Sequence, residues 1–162
     1  MNKQETLDYL REKGIEFEIT EHAPIFHMGE PSSTPFPYPG ADAKNLFVRD
    51  KKHRDYYMIT VRGEKRVDLK EFRKAHGTRA LTFADEDELQ HFLGVQPGSV
   101  SPLGVLSDEE RKVKVFLDAD FWKEPHLAGV HPNENTATVW LNPDDLKHLL
   151  EEHGNEVEVV EL

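Results

Sequence analysis

The sequence contains no cysteine. Disulfides, thiolate metal sites and cysteine nucleophiles are therefore excluded, and a cytoplasmic location is the default expectation. Long apolar runs are missing as well. No stretch approaches the roughly 20 residues needed to span a bilayer, so no membrane partner is expected. The N-terminal MNKQETLDYLREKG is polar and amphipathic, without the apolar segment and small-residue cleavage site of a signal peptide. GxGxxG, Walker, HExxH and GxSxG signatures are all absent. Nine histidines are present, yet none pair at i, i+3 or i, i+4 on a predicted helix. His148 and His153 are five apart, as are His126 and His131. Without cysteines or ligand spacing, no metal and no cofactor is expected.

Positive charge is scarce overall but not evenly so. The formal net charge is -11. Between Lys44 and Arg79, however, 12 Lys+Arg stand against 5 Asp+Glu, a local net of +7 that leaves -18 on the remainder. Such asymmetry fits a basic face on an acidic body, and it equally fits a solvated surface with charges at helix ends.

A chain of 162 residues suits one domain, 1–162, with a real core. Leu7 and Leu10 share a face of a helix over residues 3 to 13, which Gly14 stops. IEFEIT alternates as a strand. The segment 26–40, FHMGEPSSTPFPYPG, is too proline-rich for a helix and is long enough to be a lid or binding loop. NLFVRD and YYMITVRG read as strands joined by a polar turn at 51–55. Asp68 caps a helix that ends at Gly77, and Asp85 caps another that ends at Gly94. LTFA, KVKVFL, ATVWL and EVEVVEL read as strands, and Pro143 starts a last helix that runs to His153. Strands outnumber helices and several are neighbours in sequence. This predicts an α/β fold of the α+β type with a mixed sheet rather than a doubly wound one.

Three loops are rich in groups that chemistry uses. In ADAKNLFVRDKK, Lys44 precedes an apolar strand; it suits a phosphate or carbonyl contact, and a snorkelling surface lysine looks the same. Gly98-Ser-Val-Ser-Pro102 can point backbone amides at an oxyanion, or be a simple turn. Gly129-Val-His-Pro-Asn-Glu-Asn-Thr136 packs His, Asn and Thr around a proline, suited to ribose hydroxyls or to capping its own turn.

Together, ADAKNLFVRDKK, PGSVSPLGVL and GVHPNENTATV, in this order and spacing, resemble the bacterial Ala-tRNA(Pro) deacylases of the YbaK/aminoacyl-tRNA-synthetase-associated family. The similarity runs from the first helix to the final strand. It implies a compact domain built on a mixed, barrel-like sheet flanked by helices. It also implies a trans-editing hydrolase whose substrate is the acceptor end of mischarged tRNA(Pro), with alanine as the amino acid removed and prolyl-tRNA synthetase as a second partner. The family's lysine matches Lys44, its Gly-x-x-x-Pro motif matches Gly98 to Pro102, and its G-x-H-x-N histidine matches His131. The resemblance thus makes Lys44, Gly98 and His131 the catalytic set. Asn45, Ser99, Pro102, Gly129, Asn133 and Thr136 become the substrate-binding set. The stretch 28–40 departs from the family, where a more helical TVEE-type segment is thought to help grip the acceptor end. The basic residues Arg49, Lys51, Lys52 and Arg54 are then expected to carry tRNA phosphates. Two other readings stay open: a silent module that binds tRNA or synthetase, and a deacylase for Cys-, Ser- or Thr-tRNA.

Overall fold

A computed structural model describes residues 1–24 and 36–162. Helix α1 (Lys3–Glu12) starts at a capping box: the Asn2 side chain accepts from the Glu5 amide at 2.8 Å, and the Glu5 carboxylate accepts from the Asn2 amide at 3.0 Å. Leu7 and Leu10, one helical turn apart, are buried. Strand β1 (Phe17–Glu21) follows, then β2 (Ala43–Asp50), β3 (Tyr56–Arg62), α2 (Leu69–His76) and β4 (Leu81–Phe83). Asp68 caps α2 through the Lys70 and Glu71 amides. The helix started by Asp85 makes one regular turn, α3 (Glu86–Glu88), then widens to π geometry over Leu89–Leu93 before Gly94 ends it at φ +65°. Strands β5 (Val113–Asp118), β6 (Ala128–Val130) and β7 (Ala137–Leu141), helix α4 (Pro143–His153) and β8 (Val157–Val160) complete the chain.

Among the described residues the strands form two sheets. Five strands lie in the order β4-β2-β3-β5-β8, with β2 antiparallel to β3 and β4, and β5 parallel to β3 and β8. Three antiparallel strands lie in the order β1-β7-β6. The mixed α/β character matches the expectation. The single barrel-like sheet does not appear: the two sheets meet at one isolated bridge, Asp42 with Gly129, beside a 3.0 Å bond from the Gly129 amide to the Ala41 carbonyl.

Each face of the larger sheet has its own core. Val48, Ile59, Val61 and Phe116 pack under Phe72 of α2. On the other face, Phe47, Met58, Val115 and Leu117 join Leu10 of α1, Leu146 and Leu149 of α4, and Val139 and Leu141 of the small sheet. Strand β5 is covered on both sides, which explains its nearly continuous apolar burial. Alternation along β2 follows from this. Leu46 and Val48 face the α2 side, while Ala43 and Phe47 face the main core.

Candidate active site

The alternation of β2 decides where its first polar residues go. Asn45 belongs with Phe47 on the main-core side. There its Nδ2 donates to the Val100 carbonyl at 3.3 Å, and its Oδ1 accepts from the Thr60 hydroxyl of β3 at 2.8 Å. Thr60 is fully buried, so the Asn45 amide is held from behind by the sheet. Lys44 belongs with Leu46 on the α2 side, where its Nζ donates to the Lys65 carbonyl at 3.4 Å. The lysine and the asparagine are thus neighbours in sequence on opposite faces of one strand.

The loop that Asn45 grips contains Gly98, whose φ of +89° lies in the left-handed region that favours glycine. The Ser99 amide donates to the Gln96 carbonyl at 3.0 Å and closes the turn. Ser101 then caps a 3-10 helix over Pro102–Ser107, in a segment where the sequence predicted only loop; Pro102 takes the first helical position, where its missing amide costs nothing. The Ser101 hydroxyl also donates to the His131 carbonyl at 2.6 Å, which ties the second loop to the third. The His131 Nδ1 lies 3.0 Å from the Ala137 carbonyl. A carbonyl only accepts, so Nδ1 carries the hydrogen and Nε2 is the acceptor nitrogen of the neutral ring. Burial, joined by the neighbouring His22 ring, holds the His131 imidazole below the ordinary histidine range, against the opposing pull of the Ala137 carbonyl. Asn45, residues 98–102 and residues 129–137 therefore form one hydrogen-bonded unit.

Other predicted residues have structural work. Adding a Cβ to Gly129 would place it under 3.0 Å from three ring carbons of Trp140, so this glycine exists to let the indole lie against β6. Asn133 is buried at φ +65° and donates from Nδ2 to the Thr6 hydroxyl at 3.0 Å, anchoring its loop to α1. Its Oδ1 has no partner among the described residues. The Thr136 carbonyl accepts from the His22 amide at 3.0 Å. An open cleft of about 670 Å³ reaches Ser99, Asn133 and Thr136 from beside the N-terminus.

The basic positions divide in two. Arg49 is held inside: its Nε donates to Glu88 at 2.8 Å, with only 13% of its side chain exposed. Burial opposes charge on Glu88, but Arg49, the Tyr56 hydroxyl, the Asp85 amide and His53 outweigh it and bring the carboxyl to about 2. A phosphate role for Arg49 would have to break this pair. Lys51, Lys52 and Arg54 lie exposed on the β2–β3 turn, which Asp50 organises by accepting from the amides of Lys52, Arg54 and Asp55. The turn sits at the far end of β2 from Lys44, about 23 Å away at the strand rise. The segment 25–35, most of the expected binding loop, lies outside the described residues.

Sequence reasoning missed four residues that build the site. His22 is buried, with Nε2 2.9 Å from the Thr138 hydroxyl and its ring 6.2 Å from that of His131. Trp140 makes edge contacts with Phe36 and Tyr38 at 5.4 Å. Thr60 and Ser101 do the bracing. Only Ser101 carried a signal, as a hydroxyl inside the Gly98–Pro102 motif. Among the described residues, no three His, Asp or Glu side chains are grouped to hold a metal ion, and no helix is long and apolar enough to cross a membrane.

Comparison with known proteins places the chain in a family. The sequence profile of the aminoacyl-tRNA editing domain matches residues 37–149. The prolyl-tRNA editing protein ProX of Acetoanaerobium sticklandii is 36% identical over 160 residues, covering 99% of this chain and 97% of that protein. The prolyl-tRNA synthetase associated domain-containing protein 1 of Danio rerio is 33% identical over 93% of this chain and 82% of its own length. A crystal structure assigned as a candidate trans-editing enzyme for prolyl tRNA synthetase superposes with a TM-score of 0.70 at 20% identity, covering 100% of this chain and 97% of that one, and so shares the fold. With its profile match spanning the hydrogen-bonded loops, the chain belongs to the aminoacyl-tRNA editing domain family and is a deacylase of that family.

Proposed function

We propose that this protein is a trans-editing hydrolase that removes alanine from mischarged tRNA(Pro). The observation that carries the reading is the hydrogen-bonded unit of Asn45, the 98–102 loop and His131, in a chain 36% identical to a prolyl-tRNA editing protein over nearly its full length. An aminoacyl ester is an activated bond. Its hydrolysis needs a placed water and donors for the oxyanion that develops on the carbonyl. The Ser99 amide is spent on its own turn, so the reading gives the oxyanion to the amides on either side, at Gly98 and Val100. Asn45 keeps that loop in register. The neutral His131 offers an acceptor nitrogen beside the amino-acid pocket and shapes it more than it acts as base. Lys44, on the other face of β2, suits a phosphate of the terminal nucleotide better than the ester itself. Aromatic bulk from Phe36, Tyr38 and Trp140 narrows the space near His22 and His131, which favours a small side chain over a larger ring by steric exclusion. Prolyl-tRNA synthetase, the source of the mischarged product, is the proposed protein partner.

The test is a deacylation assay with purified protein and Ala-tRNA(Pro), with and without EDTA. Equal hydrolysis in both supports metal-free ester chemistry. Loss in EDTA that zinc restores contradicts it.

A further inference from the structure

Helix α2 separates its charges into two flanks. Leu69, Phe72 and His76 face the sheet, where Phe72 meets Phe116 edge-on at 4.9 Å. Glu71 and Ala75 lie on one flank and, with Arg66 from the segment before the helix, border a groove with Glu161 and Leu162, next to β8. The other flank carries Lys70, Arg73 and Lys74, spaced i, i+3, i+4 so that their stems stand side by side. All three are exposed. Among the described residues Lys70 and Arg73 have no acidic partner at ion-pair distance, and Lys74 has only Glu71, at 3.8 Å.

Topology gives this flank its direction. Strands β4 and β2 occupy the sheet edge opposite β8, so the basic flank is turned away from the C-terminal residues and toward the side of β2. The chain enters α2 through residues 63–68, at the end of the sheet where Lys44 reaches the Lys65 carbonyl. It leaves α2 toward Leu81, which pairs with Asp50 at the other end of β2. Lys44 points to this same face. Exposed Arg79 lies near enough to Asp50 to stabilise its charge.

We propose that this flank is the track on which the acceptor stem lays its phosphate backbone, from Lys44 past Lys70, Arg73 and Lys74 to Arg79 beside Asp50. The proposal rests on the deacylase reading for the identity of the RNA. The track joins the site to the turn that bears Lys52 and Arg54, and so resolves how charges about 23 Å apart along β2 can serve one ligand. Its cations are point contacts to phosphate, so they add affinity and salt dependence with little base selectivity.

The test compares wild type with the triple variant Lys70→Gln, Arg73→Gln, Lys74→Gln, checked for an unchanged thermal midpoint. Kinetics are measured on Ala-tRNA(Pro) and on an alanylated CCA trinucleotide that lacks the stem. On the full tRNA, KM rises about tenfold, the log–log salt slope falls by roughly two to three, and kcat moves less than twofold; the trinucleotide kinetics do not change. An unchanged KM and salt slope on the full tRNA, or an equal loss on the trinucleotide, overturns the track. Binding of uncharged tRNA(Pro) needs no chemistry and keeps the two readings separate. If no ester is hydrolysed but the triple variant binds this RNA about tenfold more weakly, the deacylase reading fails and the track stands. Equal binding overturns the track whatever the chemistry.

Discussion

Lys44 and Asn45 differ by one position and by a whole face of the sheet. Because β2 alternates, the asparagine meets the Gly98 loop and the lysine meets the approach to α2. Lys44→Ala is therefore expected to cut kcat/KM on the full tRNA at least about tenfold, as for a lost charge-assisted contact worth roughly 1.5–3 kcal/mol, with the fold intact. An unchanged kcat/KM would make Lys44 a surface lysine. His131 supplies the pH signature. Its ring is held below the ordinary histidine value near 6.5, so at neutral pH it is neutral with the hydrogen on Nδ1. As pH falls through 6.5 the unfolded chain takes the proton first. The stability contributed by the neutral ring, fully present above that pH, is lost on the way down through the lowered folded value. An NMR titration should place the His131 midpoint below 6.5 and show the Nδ1-H tautomer at pH 7. A midpoint above 6.5 would contradict the burial argument.

At the scale of elements, Gly129 shows what a sequence can and cannot convey. In GVHPNEN it reads as part of a polar binding loop, yet its lack of a Cβ serves the Trp140 indole one strand away. Gly129→Ala should cost about 1–3 kcal/mol in denaturant unfolding by overpacking, and combining it with Trp140→Leu should recover part of that loss. Full additivity of the two changes would contradict the contact. The strands and helices were largely legible, because apolar alternation, Asp68 and Asp85 caps and Gly77 and Gly94 stops are local signals. The partition into two sheets was not, since strand pairing depends on contacts far apart in sequence. The three loops of the candidate site were legible, and the fold brings them together. Its bracing was not: Thr60 behind Asn45, His22 beside His131 and Thr6 behind Asn133 are joined only by the fold. Arg49 reads as an unpaired cation in the sequence because its partner Glu88 stands 39 residues later.

Over the whole molecule, an acidic chain with a basic segment becomes an acidic body with a basic route over one face. Repulsion from the rest of the surface would discourage RNA elsewhere, while the α2 flank and the Lys44 end receive it. In the proposed function the ester is placed at the loops that Asn45 and Ser101 hold together, on the side where Phe36, Tyr38 and Trp140 stand near His22. The most direct measurement is the initial deacylation rate on tRNA(Pro) charged in turn with alanine, proline, cysteine and serine, at equal concentrations. Ala-tRNA(Pro) should be consumed fastest, with Pro-tRNA(Pro) spared by at least about a hundredfold, the scale that steric exclusion of a larger side chain from a small pocket can reach. Stable Ala-tRNA(Pro) in the presence of folded, tRNA-binding protein would contradict the alanine-editing function.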